Sequence, residues 1–136
     1  MAKKKILVVE DGEFNRDLMV QLLEDEYELV VAVDGAEGVQ KAQQERPDLI
    51  LMDLGLPVLD GWEATKRIKA HDESKHIPVI VVTSHAMVGD ERRAREAGCD
   101  DYLSKPIDEV ELMGKIRKPC AKVSERCQIA TVDKVV

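Results

Sequence analysis

Carboxylates stand directly behind two short apolar runs of the chain: Glu10 and Asp11 follow Lys5–Val9, and Asp53 follows Leu49–Met52. A hydroxyl, Thr83, follows a third run, Val79–Val82, and an amine, Lys105, stands just beyond Tyr102–Leu103. Polar residues end strands for ordinary reasons, as turn formers or solvated caps, so none of these is informative alone. Together they are, because ligands of open parallel sheets bind outside the carboxyl ends of the strands, where the strand order reverses. If the first and third runs are neighbouring strands, roughly 4.8 Å apart, Asp11 and Asp53 share a pocket. Like charges at about 5 Å repel by about 3 kcal/mol at an effective dielectric near 20, so the cluster must take up protons or a cation. The ligands are hard oxygens, which selects Mg2+, with Mn2+ as a substitute, over zinc. Mg2+ keeps several waters beside one or two carboxylates, and that leaves room for a phosphate oxygen.

Five apolar runs have the length of strands: Lys5–Val9, Tyr27–Val31, Leu49–Met52, Val79–Val82 and Tyr102–Leu103. Between them lie helical patterns. In Glu13–Asp25, Phe14, Leu18 and Leu22 recur every four residues with Met19 and Leu23 beside them, which predicts an amphipathic helix on that stripe. Ala36–Glu45 places Val39 and Ala42 inward and stops at Arg46-Pro47, since proline forces the residue before it out of the helical region. Asp60 can cap a third helix over Trp62–Ala70. A fourth, around Val88–Ala97, carries Gly89 and the charge run Asp90–Arg93, is expected to be mobile, and ends at Gly98, a favoured residue for a left-handed C-terminal position. A fifth starts near Asp108 with Val110, Met113 and Ile116 in register, and Pro119 ends or kinks it. Strict alternation of strand and helix implies a parallel sheet with helices on both faces. The pattern covers residues 4–118 as one domain and leaves 119–136 as a C-terminal tail.

Composition removes several classes of function. With 136 residues, 44% of them apolar and 35% charged, the chain can bury one core under a solvated surface. The net charge is −7 and the basic residues are scattered, which argues against direct nucleic-acid binding. One Phe, two Tyr and one Trp also provide too few stacking platforms for single strands. The apolar runs are too short to cross a bilayer and Met1–Lys5 opens no secretory segment, so a cytoplasmic protein without membrane contact is expected. Cys99, Cys120 and Cys127 are odd in number and have no metal-ligand spacing, and read as reduced thiols.

The chain closely resembles the CheY-like receiver domain of two-component response regulators, here of the single-domain type. The resemblance is carried by Val9-Glu10-Asp11, Leu51-Met52-Asp53-Leu54-Gly55-Leu56-Pro57 with Asp60-Gly61, Val82-Thr83-Ser84, and Ala97–Pro106. It implies a flavodoxin-like three-layer α/β/α sandwich whose five-stranded parallel sheet has the order 2-1-3-4-5. It makes Asp53 the phosphoacceptor. Glu10, Asp11, Asp53 and the backbone carbonyl of Gly55 become the Mg2+ ligands, with Glu10, one methylene longer than the commoner Asp, acting through a coordinated water. Thr83 would donate its hydroxyl to the phosphoryl group, Ser84 would keep access open, Lys105 would pair with the phosphoryl charge, and Pro106 would be the cis proline that aims the lysine. Tyr102 would turn inward as Thr83 moves, so the signal would leave through the fourth helix, fifth strand and fifth helix.

Implied partners are a sensor histidine kinase or histidine phosphotransfer protein and a separate effector protein, with the chain a monomer or a weak phosphorylation-dependent dimer. It would be a regulator that promotes only its own phosphorylation and dephosphorylation, not an enzyme. The alternative is a phosphorylation-independent pseudoreceiver scaffold, which normally lacks one of the acidic, Thr or Lys positions; all are present here. A haloacid-dehalogenase-like phosphatase would need Asp-x-Asp, whereas Gly55 stands two residues after Asp53. Flavin binding on the same fold would need a phosphate cradle after the first strand, where Glu10-Asp11 would repel a phosphate.

Overall fold

The computed structural model describes residues 4–53, 61–83, 92, 96–104 and 108–117. Its elements are β1 (Lys5–Val9), α1 (Glu13–Leu23), β2 (Glu28–Ala32), α2 (Gly35–Glu45), β3 (Leu49–Asp53), α3 (Gly61–Ala70), β4 (Val79–Thr83) and β5 (Asp101–Ser104). A last helix covers 109–117, and between β4 and β5 helical geometry is described at Arg92, Glu96 and Ala97. Asp60, Gly89 and the expected mobility around them lie outside the described residues. All strand pairs are parallel, in the order β2-β1-β3-β4-β5. This is the flavodoxin-like sheet that the motifs implied.

Strict alternation along the strands builds two cores. Ile6, Val8, Leu49, Leu51, Ile80, Val82 and Leu103 meet Met19 and Leu23 of α1 and Leu112, Met113 and Ile116 of the last helix. Leu7, Val9, Ile50, Met52, Val79 and Val81 point to the other face and meet Ala42 of α2, Ala64 and Ile68 of α3, and Ile77. A strand buried on both faces needs apolar residues at every position, which is why these runs do not alternate with polar ones. Gly38 lets α2 approach closely, since a Cβ there would stand 2.9 Å from Val9 Cγ2.

Two predicted apolar stripes differ from what is buried. In α1 the core face is Met19 and Leu23, with Leu22 half-buried against them, whereas Phe14 is 81% and Leu18 37% exposed. Val110 is 81% exposed, and Leu112 takes the buried place beside Met113 and Ile116. Both helices start at the carboxyl end of the sheet, and the exposed Phe14 and Val110 are the second residue of each, whereas Leu112, two residues later, already reaches the core.

Local chemistry sets the helix ends. Asp34 Oδ1 accepts from Glu37 N at 2.8 Å while Glu37 Oε1 accepts from Val33 N at 2.7 Å, a reciprocal cap on α2. Arg46 ends α2 in the left-handed region (φ 47°), outside the helical region as Pro47 requires of the residue before it. Gly98 has φ 97°, as a left-handed C-terminal position requires. Two lysines cover the outer strands: Lys41 Nζ donates to Val31 O at 2.7 Å, and Lys115 Nζ donates to Tyr102 O at 2.7 Å while pairing with Asp101 at 3.1 Å. At the base of β4, Lys69 Nζ binds Ile77 O at 2.7 Å and Asp100 Oδ2 at 2.9 Å.

Cys99 packs at the edge of the second core. Burial pushes its thiol from 9.0 up to about 11, against a hydrogen bond with Thr65 that opposes the rise. An unfolded chain loses this proton near the ordinary thiol value while the folded chain keeps it. Between about 9 and about 11 the unfolded state therefore binds fewer protons, and stability falls as pH rises through that window. Denaturant midpoints of wild type and Cys99→Ala across the window check this: the fall is expected to be shallower in the variant.

Candidate functional site

Glu10 and Asp11 stand at the end of β1 and Asp53 is the last residue of β3. Val9 pairs with Met52, so the residues that follow each, Glu10 and Asp53, come side by side across the adjacent strands β1 and β3. One carboxylate oxygen from each of Glu10, Asp11 and Asp53 lies within 4.8 Å of the other two. Glu10 (1% exposed) and Asp53 (6% exposed) are buried, while Asp11 sits on an exposed bend before α1. Glu10 Oε2 accepts from Gly12 N at 3.1 Å, and Glu10 O accepts from Arg16 Nη1 at 3.1 Å. Gly12 is the N-cap of α1 and no side chain caps the first turn there; the Glu10 carboxylate holds the amide of Gly12 itself, at the entry to the helix.

The remaining predicted residues divide between elements and undescribed segments. Thr83 ends β4, which pairs with β3 through Asp53 and Val82, so its backbone stands at the same end of the sheet as the carboxylates. Thr83 pairs with Ser104, the residue before Lys105. Tyr102 lies in β5 opposite Val81, half-buried. Gly55, Ser84, Lys105 and Pro106 lie outside the described residues. Arg16 was not singled out from sequence: one basic residue in a charged helix carries no spacing signal, and only the fold brings its guanidinium onto the Glu10 carbonyl.

Three hard carboxylates on the carboxyl ends of adjacent parallel strands can hold a divalent cation against an incoming anion. The family model for the response regulator receiver domain matches residues 6–117. The chain belongs to this family. A response regulator receiver acts in two-component signalling, and the chain is such a receiver. It is 50% identical over 105 residues to the polar-differentiation response regulator DivK of Brucella anthropi, an alignment that covers 76% of this chain and 85% of that protein. DivK of Brucella ovis is 48% identical over the same length and shares of the two chains.

Among solved structures, the receiver domain of a sensor histidine kinase from Pseudomonas aeruginosa, with a magnesium ion coordinated in its active-site cleft, superposes with a TM-score of 0.82 at 36% identity. That match covers 88% of this chain and 99% of the other. The chemotaxis protein CheY4 of Vibrio cholerae superposes with a TM-score of 0.81 at 29% identity, covering 86% and 98%. Among the described residues of this receiver, no helix is long and apolar enough to cross a membrane.

Proposed function

We propose that Asp53 of this receiver accepts a phosphoryl group from the phosphohistidine of a sensor histidine kinase or histidine phosphotransfer protein, and that the phosphorylated form binds a separate effector. The observation that carries this reading is the three-carboxylate cluster at the junction of β1 and β3. An Asp53 oxygen attacks phosphorus, the donor's N–P bond breaks, and the histidine nitrogen leaves with the bonding pair; no oxidant or reductant takes part.

The residues present fit Mg2+. Oxygens bound directly to one Mg2+ at roughly 2.1 Å stand at most about 4.2 Å apart, so a span of up to 4.8 Å needs only a small closure or one bridging water. Asp11 and Asp53 are the direct ligands in this reading, with the Gly55 carbonyl. Glu10, whose Oε2 is already committed to Gly12 N, acts through a water. When bound, the ion neutralises the phosphoryl oxygens and lets a carboxylate approach phosphorus. Thr83 and Lys105 take up the charge on the transferred group, Ser84 leaves the mouth open, Pro106 aims the lysine and Tyr102 carries the change outward. Residues 4–118 are the receiver unit and 119–136 a tail, in a cytoplasmic regulator that catalyses only its own phosphorylation and dephosphorylation. Incubation with Mg2+ and a small phosphodonor such as acetyl phosphate is expected to add one phosphoryl group, detected by intact mass; no adduct with small or protein donors would sink the reading.

The exposed pair Phe14 and Leu18 gives the donor protein a place to rest. They are four residues apart on α1, at its end nearest Asp11, and an exposed Phe beside an acidic pocket suits a partner that must bring a phosphohistidine there. Phe14→Ala is expected to slow transfer from a histidine phosphotransfer protein by about tenfold while leaving acetyl phosphate uptake unchanged. Time courses with the two donors separate docking from chemistry.

A further inference from the structure

Three bonds among those that fasten Glu10 act on its neighbours: its N–H donates to Ala32 O at 3.0 Å, its Oε2 accepts from Gly12 N at 3.1 Å, and its carbonyl accepts from Arg16 Nη1 at 3.1 Å. The first ties β1 to β2 and the second holds the amide that leads into α1. The third acts on the next residue. The Glu10 carbonyl belongs to the peptide unit that joins Glu10 to Asp11, and because that unit is planar, fixing its oxygen also fixes the nitrogen and Cα of Asp11. Asp11 lies on an exposed bend between β1 and α1, where no ladder or helix sets its direction. Arg16 is itself placed by the first helical bond of α1, from Arg16 N to Gly12 O at 2.8 Å, and its half-buried guanidinium is a rigid planar donor.

We infer that Arg16 is a positioning residue, which reaches back from α1 to hold the Glu10–Asp11 peptide so that the Asp11 carboxylate faces Asp53 in the geometry Mg2+ needs. The inference rests on the reading of the cluster as a Mg2+ site. Charge alone makes the opposite prediction. A guanidinium near the carboxylates repels a second cation, so if Arg16 acted only through its charge, removing it would tighten Mg2+ binding. If it acts by position, removing it loosens the site.

The test titrates Mg2+ alone into wild type, Arg16→Met and Arg16→Lys by calorimetry, with circular dichroism and denaturant midpoints in chelator to establish that each is folded. Arg16→Met keeps the length of the side chain but has no donor, and is expected to bind Mg2+ about tenfold more weakly, as loss of a group that orients a ligand does. Arg16→Lys keeps the charge and one donor nitrogen without the planar fork, and is expected to fall between the two. Equal or tighter binding by Arg16→Met overturns the inference; if that variant does not fold, wild-type or tighter affinity in Arg16→Lys overturns it. A wild type that binds no Mg2+ overturns the metal reading and this inference with it, whereas wild-type binding with no loss in either variant overturns the inference only.

Discussion

Asp53→Asn is expected to abolish phosphoryl uptake from every donor, because the amide keeps the shape of the side chain but has no anionic oxygen to attack phosphorus. Intact mass after incubation with acetyl phosphate, or with a phosphorylated partner, should show no adduct. Labelling that persists in the variant would place the acceptor elsewhere. The same substitution removes one of three charges whose oxygens stand within 4.8 Å of one another, two of them on buried residues. Repulsion in the ion-free state is relieved, so the melting temperature in chelator should be equal to or slightly above that of wild type. A fall of many degrees would mean that the Asp53 carboxylate holds the fold together through its contacts more than it strains it.

Removing magnesium should have a comparably large effect on uptake and a measurable one on stability. Without the cation, three carboxylates face an incoming phosphoryl group that is itself anionic, and transfer is expected to stop in chelator and return when Mg2+ is restored. A ligand that binds only the folded state at ten times its dissociation constant stabilises by about 1.4 kcal/mol, several degrees in melting temperature for a domain of this size. Wild type should show that rise and Asp53→Asn much less of it. Uptake and melting temperature that both ignore chelation would remove the metal from the mechanism.

The strands and the site were legible for the same reason. A buried parallel strand must be apolar throughout, so its end is marked in sequence by the first charged residue, and in β1 and β3 those residues are Glu10 and Asp53. Their meeting required the pairing of Val9 with Met52, which the motifs implied and periodicity alone did not. Helix faces were less legible. Phe14 and Val110 share the spacing of core residues and are exposed, because spacing records an angle around a helix but not whether the sheet extends beneath that turn. The roles of Arg16 and Lys69 were hidden for another reason: each donates to backbone carbonyls, and a carbonyl has no letter in the sequence.

Lys41 and Lys115 reach from their helices onto the two outer strands and guard the borders of the sheet. In β2, Glu28 N donates to Lys4 O and Ala32 O accepts from Glu10 N, so Val31, between them in the alternation, turns its carbonyl away from the sheet, and Lys41 takes it. In β5 both backbone groups of Tyr102 are held by side chains, its N–H by Asp101 at 2.8 Å and its carbonyl by Lys115. An extended segment of another chain would have to displace an ammonium group at either border before it could add itself as a sixth strand. Each lysine thereby occupies one outward-facing carbonyl of a border strand, which makes side chains on the helices the easier surface for a partner to read.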